Sequence, residues 1–292
     1  MDPLLSANVN QHASPARLGP NDLVWDHMSR PPDEDPVERV HAAAAAGFSA
    51  IGLFVRHWQM LREDPAHVER LEQALADTGL RIWGMEVAST WLPDGTVTDE
   101  MQAFESAAWD LAERFGCVYL QAIGRGVGGP ALAAPGFAGL CDRAAEHGID
   151  IALEWVPEMT DIESAADALE LVERVDRPNA GFCVDSWHLT RSTNDPADIL
   201  TLPGERVFNI QLNDGPVQPD EPDYYTDTLA NRVAPGSGEF DLVQIVRNLD
   251  AIGAACPINL EVCSRDLWAA PVDEAARVVH DGMRSVLDIA RG

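Results

Sequence analysis

The stretch VFNIQLNDG, Val207 to Gly215, alternates strictly: Asn209, Gln211 and Asn213 fall on one face of a strand, and Phe208, Ile210 and Leu212 on the other. This is the pattern of a barrel strand whose polar side points into the mouth and whose apolar side points toward helices. Three other short apolar runs are interrupted in the same way near their carboxyl ends: IALEWVP (151–157) by Glu154, AGFCVDSWH (180–188) by Asp185, and PINLEVCS (257–264) by Glu261. Burying four such groups is costly without a compensating partner. Three carboxylates and one amide oxygen are hard ligands, so the simplest shared partner is one divalent cation, Mn²⁺ or Mg²⁺, with Co²⁺ and Zn²⁺ as alternatives.

Outward from these runs, strand-like segments alternate with helical periodicity eight times. The strands are expected at Leu23–Met28, Ser49–Val55, Arg81–Val87, Val118–Ile123, Ile149–Val156, Gly181–Asp185, Val207–Leu212 and Ile258–Cys263. Helices are expected at Pro36–Ala45, Ala66–Asp77, Asp99–Phe115, Phe137–His147, Ser164–Val175, Pro196–Leu200, Leu242–Ile252 and Asp273–Arg291. Gly47, Gly79, Gly116 and Gly148 stand where helix ends need positive φ. Eight strand–helix units predict an α/β chain folded as a single (β/α)₈ TIM barrel over residues 1–292, with a short N-terminal extension over about residues 1–20. A doubly wound open sheet is disfavoured because no GxGxxG follows the first strand. The four polar positions lie on strands five to eight, which are neighbours in a barrel.

Composition narrows the function. The net charge of −28, from 20 basic and 48 acidic residues, repels a phosphate backbone, so nucleic acid is not expected as a partner. All basic residues are arginines, which removes lysine Schiff-base chemistry and lysine attachment of pyridoxal phosphate. Five cysteines show neither CxxC spacing nor the density of a disulfide framework. No apolar run spans a membrane and no secretory leader is evident, so a cytoplasmic chain acting on a small polyol or keto compound is expected. A homo-oligomer is compatible with all of this.

The segments LEW, CVDSWH, IQLND and LEVCS, with RVAPGSGEFD (232–241) between the last two, resemble the xylose-isomerase-like superfamily of barrels. That superfamily includes sugar isomerases and epimerases, hydroxypyruvate isomerase, inosose and 3-dehydroshikimate dehydratases and endonuclease IV. The resemblance implies one divalent metal held by Glu154, Asp185, Gln211 and Glu261, and a substrate-facing His188 at the DxxH spacing from Asp185. Gln211, and Val217 six residues later, replace the His and Arg of many ketose 3-epimerases; Gln here is the pattern of hydroxypyruvate isomerases and bacterial 3-dehydroshikimate dehydratases.

The chemistry this predicts is proton abstraction beside a carbonyl, with Glu154 and Glu261 as paired bases and His188 polarising or protonating a substrate oxygen. The leading expectation is an isomerase or epimerase acting through an enediolate. The alternatives are a dehydratase of the 3-dehydroshikimate or inosose type, or a C-glycoside-eliminating subunit that needs a partner chain; an abasic-site nuclease is disfavoured by charge and by the scarcity of histidine. Substrate contacts are expected from Arg56, His57, Glu86, Gln121, Trp187 and Arg232. The run GRGVGG (124–129) offers a weak phosphate cradle. The stretch 215–238, with Tyr224 and Tyr225, is long enough for a lid.

Overall fold

In the computed structural model, which describes residues 18–31 and 34–292, eight parallel strands pair in sequence order and the eighth closes on the first. They are β1 (Leu23–Trp25), β2 (Ala50–Phe54), β3 (Arg81–Ala88), β4 (Tyr119–Ile123), β5 (Asp150–Glu154), β6 (Ala180–Asp185), β7 (Val207–Gln211) and β8 (Ile258–Leu260). The expected N-terminal extension lies almost wholly outside the described residues. No helix among the described residues is long and apolar enough to cross a membrane.

The helices are α1 (Pro36–Ala46), α2 (Val55–Leu61), α3 (Pro65–Thr78), α4 (Asp99–Phe115), α5 (Pro130–Ala145), α6 (Ala165–Val175), α7 (Ser186–Ser192), α8 (Tyr224–Ala230), α9 (Leu242–Ala251), α10 (Arg265–Ala269) and α11 (Val272–Arg291). Their starts follow capping chemistry: Asp35 accepts from Val37 N–H before Pro36, and the Thr98 hydroxyl accepts from Met101 N–H.

Three expectations need correcting. The helix expected to begin at Phe137 begins at Pro130, because Pro135 and Gly136 do not break it. Gly136 turns its N–H to the Pro93 carbonyl (2.9 Å), and any Cβ there would collide with Leu92 O. The segment Pro196–Leu200 forms a 3₁₀ helix, Pro196–Thr201. Strands one and eight stop early, at Trp25 and Leu260, so that Asp26 and Glu261 stand one residue beyond the ladder.

The barrel's lower interior is filled by Val24, Ala50, Trp83, Tyr119, Ala152 and Cys183. Phe208, expected to face helices, packs against this cluster instead. The β6–β7 register slips between Phe182 and Cys183, and Gly181 leaves room for the Phe208 ring. Most of the remaining apolar side chains form one continuous core between strands and helices.

Candidate active site

The strand ends place acidic groups at the C-terminal rim of the barrel. Glu154, Asp185 and Gln211 are the last residues of β5, β6 and β7, Glu261 follows β8, Asp26 follows β1, and Glu86 lies within β3. All six are buried. A cavity of about 230 Å³ opens here, walled by Phe54, Val87, Ile123, Val156, Met159 and Leu229 and floored by Glu86, Gln121, Glu154, His188, Arg232 and Glu261.

At this rim, ligand atoms of Glu154, Asp185 and His188 lie within 4.8 Å of one another, and so do those of Asp26, Glu86 and Glu261. Between the two groups sits Arg232, whose Nη1 donates to Asp185 Oδ2 (2.9 Å) and Glu261 Oε2 (2.6 Å). Its Nε donates to the Thr228 carbonyl (3.0 Å) and its Nη2 to the Thr228 hydroxyl (3.2 Å). Asp185 Oδ1 caps α7 through Trp187 N–H (2.6 Å) and accepts from Asn213 Nδ2 (3.1 Å).

Glu86 Oε1 is buried without a hydrogen-bond partner, and the same holds for one oxygen of Glu154. Glu154 Oε2 accepts from Gln121 Nε2 (2.8 Å), but Oε1 is buried without a hydrogen-bond partner and faces His188 Nε2 at 3.4 Å. On its other side, His188 Nδ1 meets the Tyr224 hydroxyl at 2.6 Å.

Charge is far from balanced. Burial, reinforced by Asp185, pushes the Glu154 carboxyl up to about 8. Burial also raises Glu86, with Asp26 beside it, and raises Glu261 despite Arg232. Burial opposes the charge on Asp185, but Arg232 and the surrounding donors hold its carboxyl below the usual value. His188 is pushed down to about 4 by burial, so it is neutral at physiological pH. The donor set is therefore buried, oxygen-rich and under-compensated, with two orphaned carboxyl oxygens, on Glu86 and Glu154, which suits a hard divalent cation.

The expected residues are distributed unevenly. Glu154 and Glu261 line the cavity, whereas Asp185 lies behind Arg232 and does not line it, and Gln211 is likewise buried outside it. There Gln211 Oε1 accepts from Cys183 Sγ (3.0 Å) and its Nε2 faces Asp26 Oδ2 (3.4 Å). Glu86, Gln121, His188 and Arg232 line the cavity as expected.

Arg56 does not: its side chain is 63% exposed on α2 and pairs with Glu100. His57 is buried on α2 with its ring 5.1 Å from His27, and it does not line the cavity. Trp187 is fully buried under the Arg191 guanidinium, 4.1 Å from the ring centroid, so it supports the site from behind. The GRGVGG turn is also no phosphate cradle, because its N–H groups at Val127 (2.6 Å) and Gly128 (3.1 Å) already donate to Asp161.

Sequence reading missed Asp26, although LVWD carries the same signal, a carboxylate closing an apolar run. It also missed Asp214, whose buried carboxylate accepts from the N–H groups of Gly215, Gly236, Gly238 and Phe240. That single side chain folds the PGSGEF segment and with it the base of the loop that carries Arg232.

Residues 40–286 match a protein family described as the xylose isomerase-like TIM barrel. The chain is 32% identical over 257 residues to a 3-dehydroshikimate dehydratase of Pseudomonas aeruginosa, covering 86% of this chain and 39% of that protein. It is 27% identical over 250 residues to a putative hydroxypyruvate isomerase of Streptomyces coelicolor, covering 77% of this chain and 84% of that one. It thus spans about two fifths of the length of the curated dehydratase it matches. Among solved structures, a protein described as IOLI with a bound zinc atom superposes with a TM-score of 0.75 over 92% of this chain and 98% of its own, at 16% identity, which speaks for the shared fold.

Proposed function

The chain belongs to the xylose isomerase-like TIM barrel family, and on that premise we propose that it is a divalent-cation-dependent dehydratase of a small cyclic hydroxy-ketone. The observation that carries this is an asymmetry. Glu154 Oε1 has no partner and faces His188 Nε2, whereas Glu261 Oε2 is held by Arg232 at 2.6 Å. One free carboxyl oxygen beside one imidazole suits elimination on one side of a substrate. Two-base isomerisation by Glu154 and Glu261 would need Glu261 free as well, although Glu86 Oε1 on β3 is another unpartnered carboxyl oxygen in the cavity.

Glu154, Asp185 and Glu261 are the residues that would hold the cation, and Gln211 would join them only by giving up the contact its Oε1 makes with Cys183. When bound, it supplies positive charge opposite the oxyanion that develops on the substrate carbonyl. Glu154 takes the proton from the carbon next to the carbonyl. The departing β-hydroxyl, held by a hydrogen bond from the neutral His188 imidazole, takes that proton back from Glu154 and leaves as water as the carbon–carbon double bond forms. Glu154 is thereby returned to its carboxylate and His188 stays neutral throughout. Arg232 and Gln121 hold the carboxylates in place, and the apolar wall of Val87, Ile123, Val156, Met159 and Leu229 keeps water from the reacting carbon.

The 32% identity to a dehydratase across most of the chain favours elimination, and 3-dehydroshikimate is the first substrate to test. Isomerisation is the second reading, supported by the hydroxypyruvate isomerase and by inosose isomerases such as that of Bacillus subtilis. Incubating the Mn²⁺-loaded protein separately with 3-dehydroshikimate, inosose and hydroxypyruvate separates the two. Conjugated-product absorbance from 3-dehydroshikimate that is lost with a chelator supports dehydration; interconversion of hydroxypyruvate or inosose without any such product would overturn it.

A further inference from the structure

Helix α8 sits in the long segment after β7, and one of its faces meets the site three times. Tyr224 Oη lies 2.6 Å from His188 Nδ1, Asp227 Oδ2 accepts from Arg191 Nε at 3.1 Å, and Thr228 accepts from Arg232 through both its carbonyl and its hydroxyl. Positions 224, 227 and 228 are spaced i, i+3 and i+4, so all three contacts come from a single stripe. Arg191 further binds the Pro216 and Val217 carbonyls at the start of the segment (2.9 and 3.1 Å). Helix α7, which carries both His188 and Arg191, is thereby joined to α8 at two points.

The contact at Tyr224 has a chemical consequence. A neutral imidazole carries one proton, on either Nδ1 or Nε2. If Nδ1 carried it and donated to Tyr224, the phenol proton would have no acceptor, because the hydroxyl makes no other hydrogen bond among the described residues. The reverse arrangement, with Tyr224 donating to Nδ1 and a proton on Nε2, uses the phenol hydrogen and gives the orphaned Glu154 oxygen a donor.

We infer that Tyr224 is a positioning residue that fixes His188 in the Nε2–H tautomer, so that docking of α8 sets the imidazole as a hydrogen-bond donor aimed into the cavity. Tyr224 does not touch the reacting atoms. It acts through His188, and this rests on the reading of His188 as the group that holds the departing hydroxyl in the proposed reaction.

The test is a ¹⁵N correlation spectrum of the histidine side chains in the full-length Mg²⁺-supplemented protein, with His188 assigned from His188→Gln. Wild type should show a pyrrole-type Nε2 and a pyridine-type Nδ1 at His188. In Tyr224→Phe, which keeps the ring and removes only the hydroxyl, that separation should collapse toward averaged tautomers; with 3-dehydroshikimate, kcat should fall at least tenfold with KM changed less than threefold.

A pyrrole-type Nδ1 in wild type would overturn the inference even if the variant failed to fold, and so would an unchanged tautomer in folded Tyr224→Phe. The spectrum needs no turnover, so absence of activity on every keto compound would sink the proposed reaction and leave the tautomer result standing.

Discussion

Replacing Glu154 with Gln should stabilise the metal-free protein at alkaline pH while abolishing turnover. The carboxyl is buried and pushed up to about 8 from an ordinary 4.5, so the folded chain holds its proton more tightly than the unfolded chain does. Below about pH 4.5 both states are protonated and the group has no effect. As pH rises through the window from 4.5 to 8, the unfolded chain ionises first and stability falls; above 8 the loss is complete. At about 1.4 kcal/mol per pH unit of separation, the limit is roughly 5 kcal/mol. Neighbouring carboxyls share that relief, and the new amide must find acceptors, so a gain of about 2–3 kcal/mol at pH 8 is expected, or roughly 5 °C in Tm for a chain of this size. At pH 5 most of the difference should vanish. Thermal and urea unfolding of both proteins in chelator from pH 5 to 8.5 reads this directly. A variant no more stable than wild type at pH 8, or equally stabilised at pH 5, would refute the view that the fold bears a buried carboxylate as a cost. Adding Mn²⁺ at pH 8 should narrow the gap, since the cation favours the ionised wild-type group.

Arg232→Met should destabilise by about 3–5 kcal/mol in urea unfolding, because it strands Asp185 and Glu261 without their shared donor; a loss under about 1 kcal/mol would argue against that pairing. Asp214→Ala removes the acceptor of four backbone N–H groups and should cost at least ~3 kcal/mol, with activity lost through Arg232, whereas Asp214→Asn should retain part of both. Gly84→Ala puts a Cβ at 2.1 Å from the Tyr119 ring and should cost about 1–3 kcal/mol or more, read as a lower Tm, and Tyr119→Leu in the same chain should recover part of it.

Much of the barrel was legible because its signals are local. A carboxylate closing an apolar run, as in IALE and GFCVD, announces a strand end, and an amphipathic run with Thr98 before it and Gly116 after it announces a helix; α4 falls on its expected bounds. Legibility ended where one segment depends on a distant one. Nothing in GFCVD shows that Phe208 will cross Gly181, nor does PGF in α5 show that the Pro93 carbonyl will take the Gly136 N–H. The rim acids were readable as interruptions, but the arginine among them was not readable as their shared counter-ion. Its position depends on α8, a seven-residue helix inside a stretch of Pro, Asp and Gly with no periodicity to report. Arg56 misled for a related reason: a strand-end position guarantees only the backbone's address, and the first turn of α2 carries that side chain outward to Glu100.

The same arginine decides which reaction the site is suited to. Three rim carboxyls, Glu86, Glu154 and Glu261, are raised by burial; the Arg232 guanidinium binds Glu261 and Asp185, while Glu86 and Glu154 each keep an unpartnered oxygen. A barrel mouth with equal acids on both sides would move a proton from one face of a substrate to the other. This mouth holds an unpartnered carboxyl oxygen and an imidazole together on the β5–β6 side, another unpartnered oxygen on Glu86 of β3, and a carboxyl bound by Arg232 on the β8 side. A proton removed by Glu154 therefore has a leaving hydroxyl as its natural destination, with neutral His188, 3.4 Å away, placed to hold that hydroxyl. Arg232 thus links the α8 segment to the choice between elimination and isomerisation, although it need never exchange a proton itself.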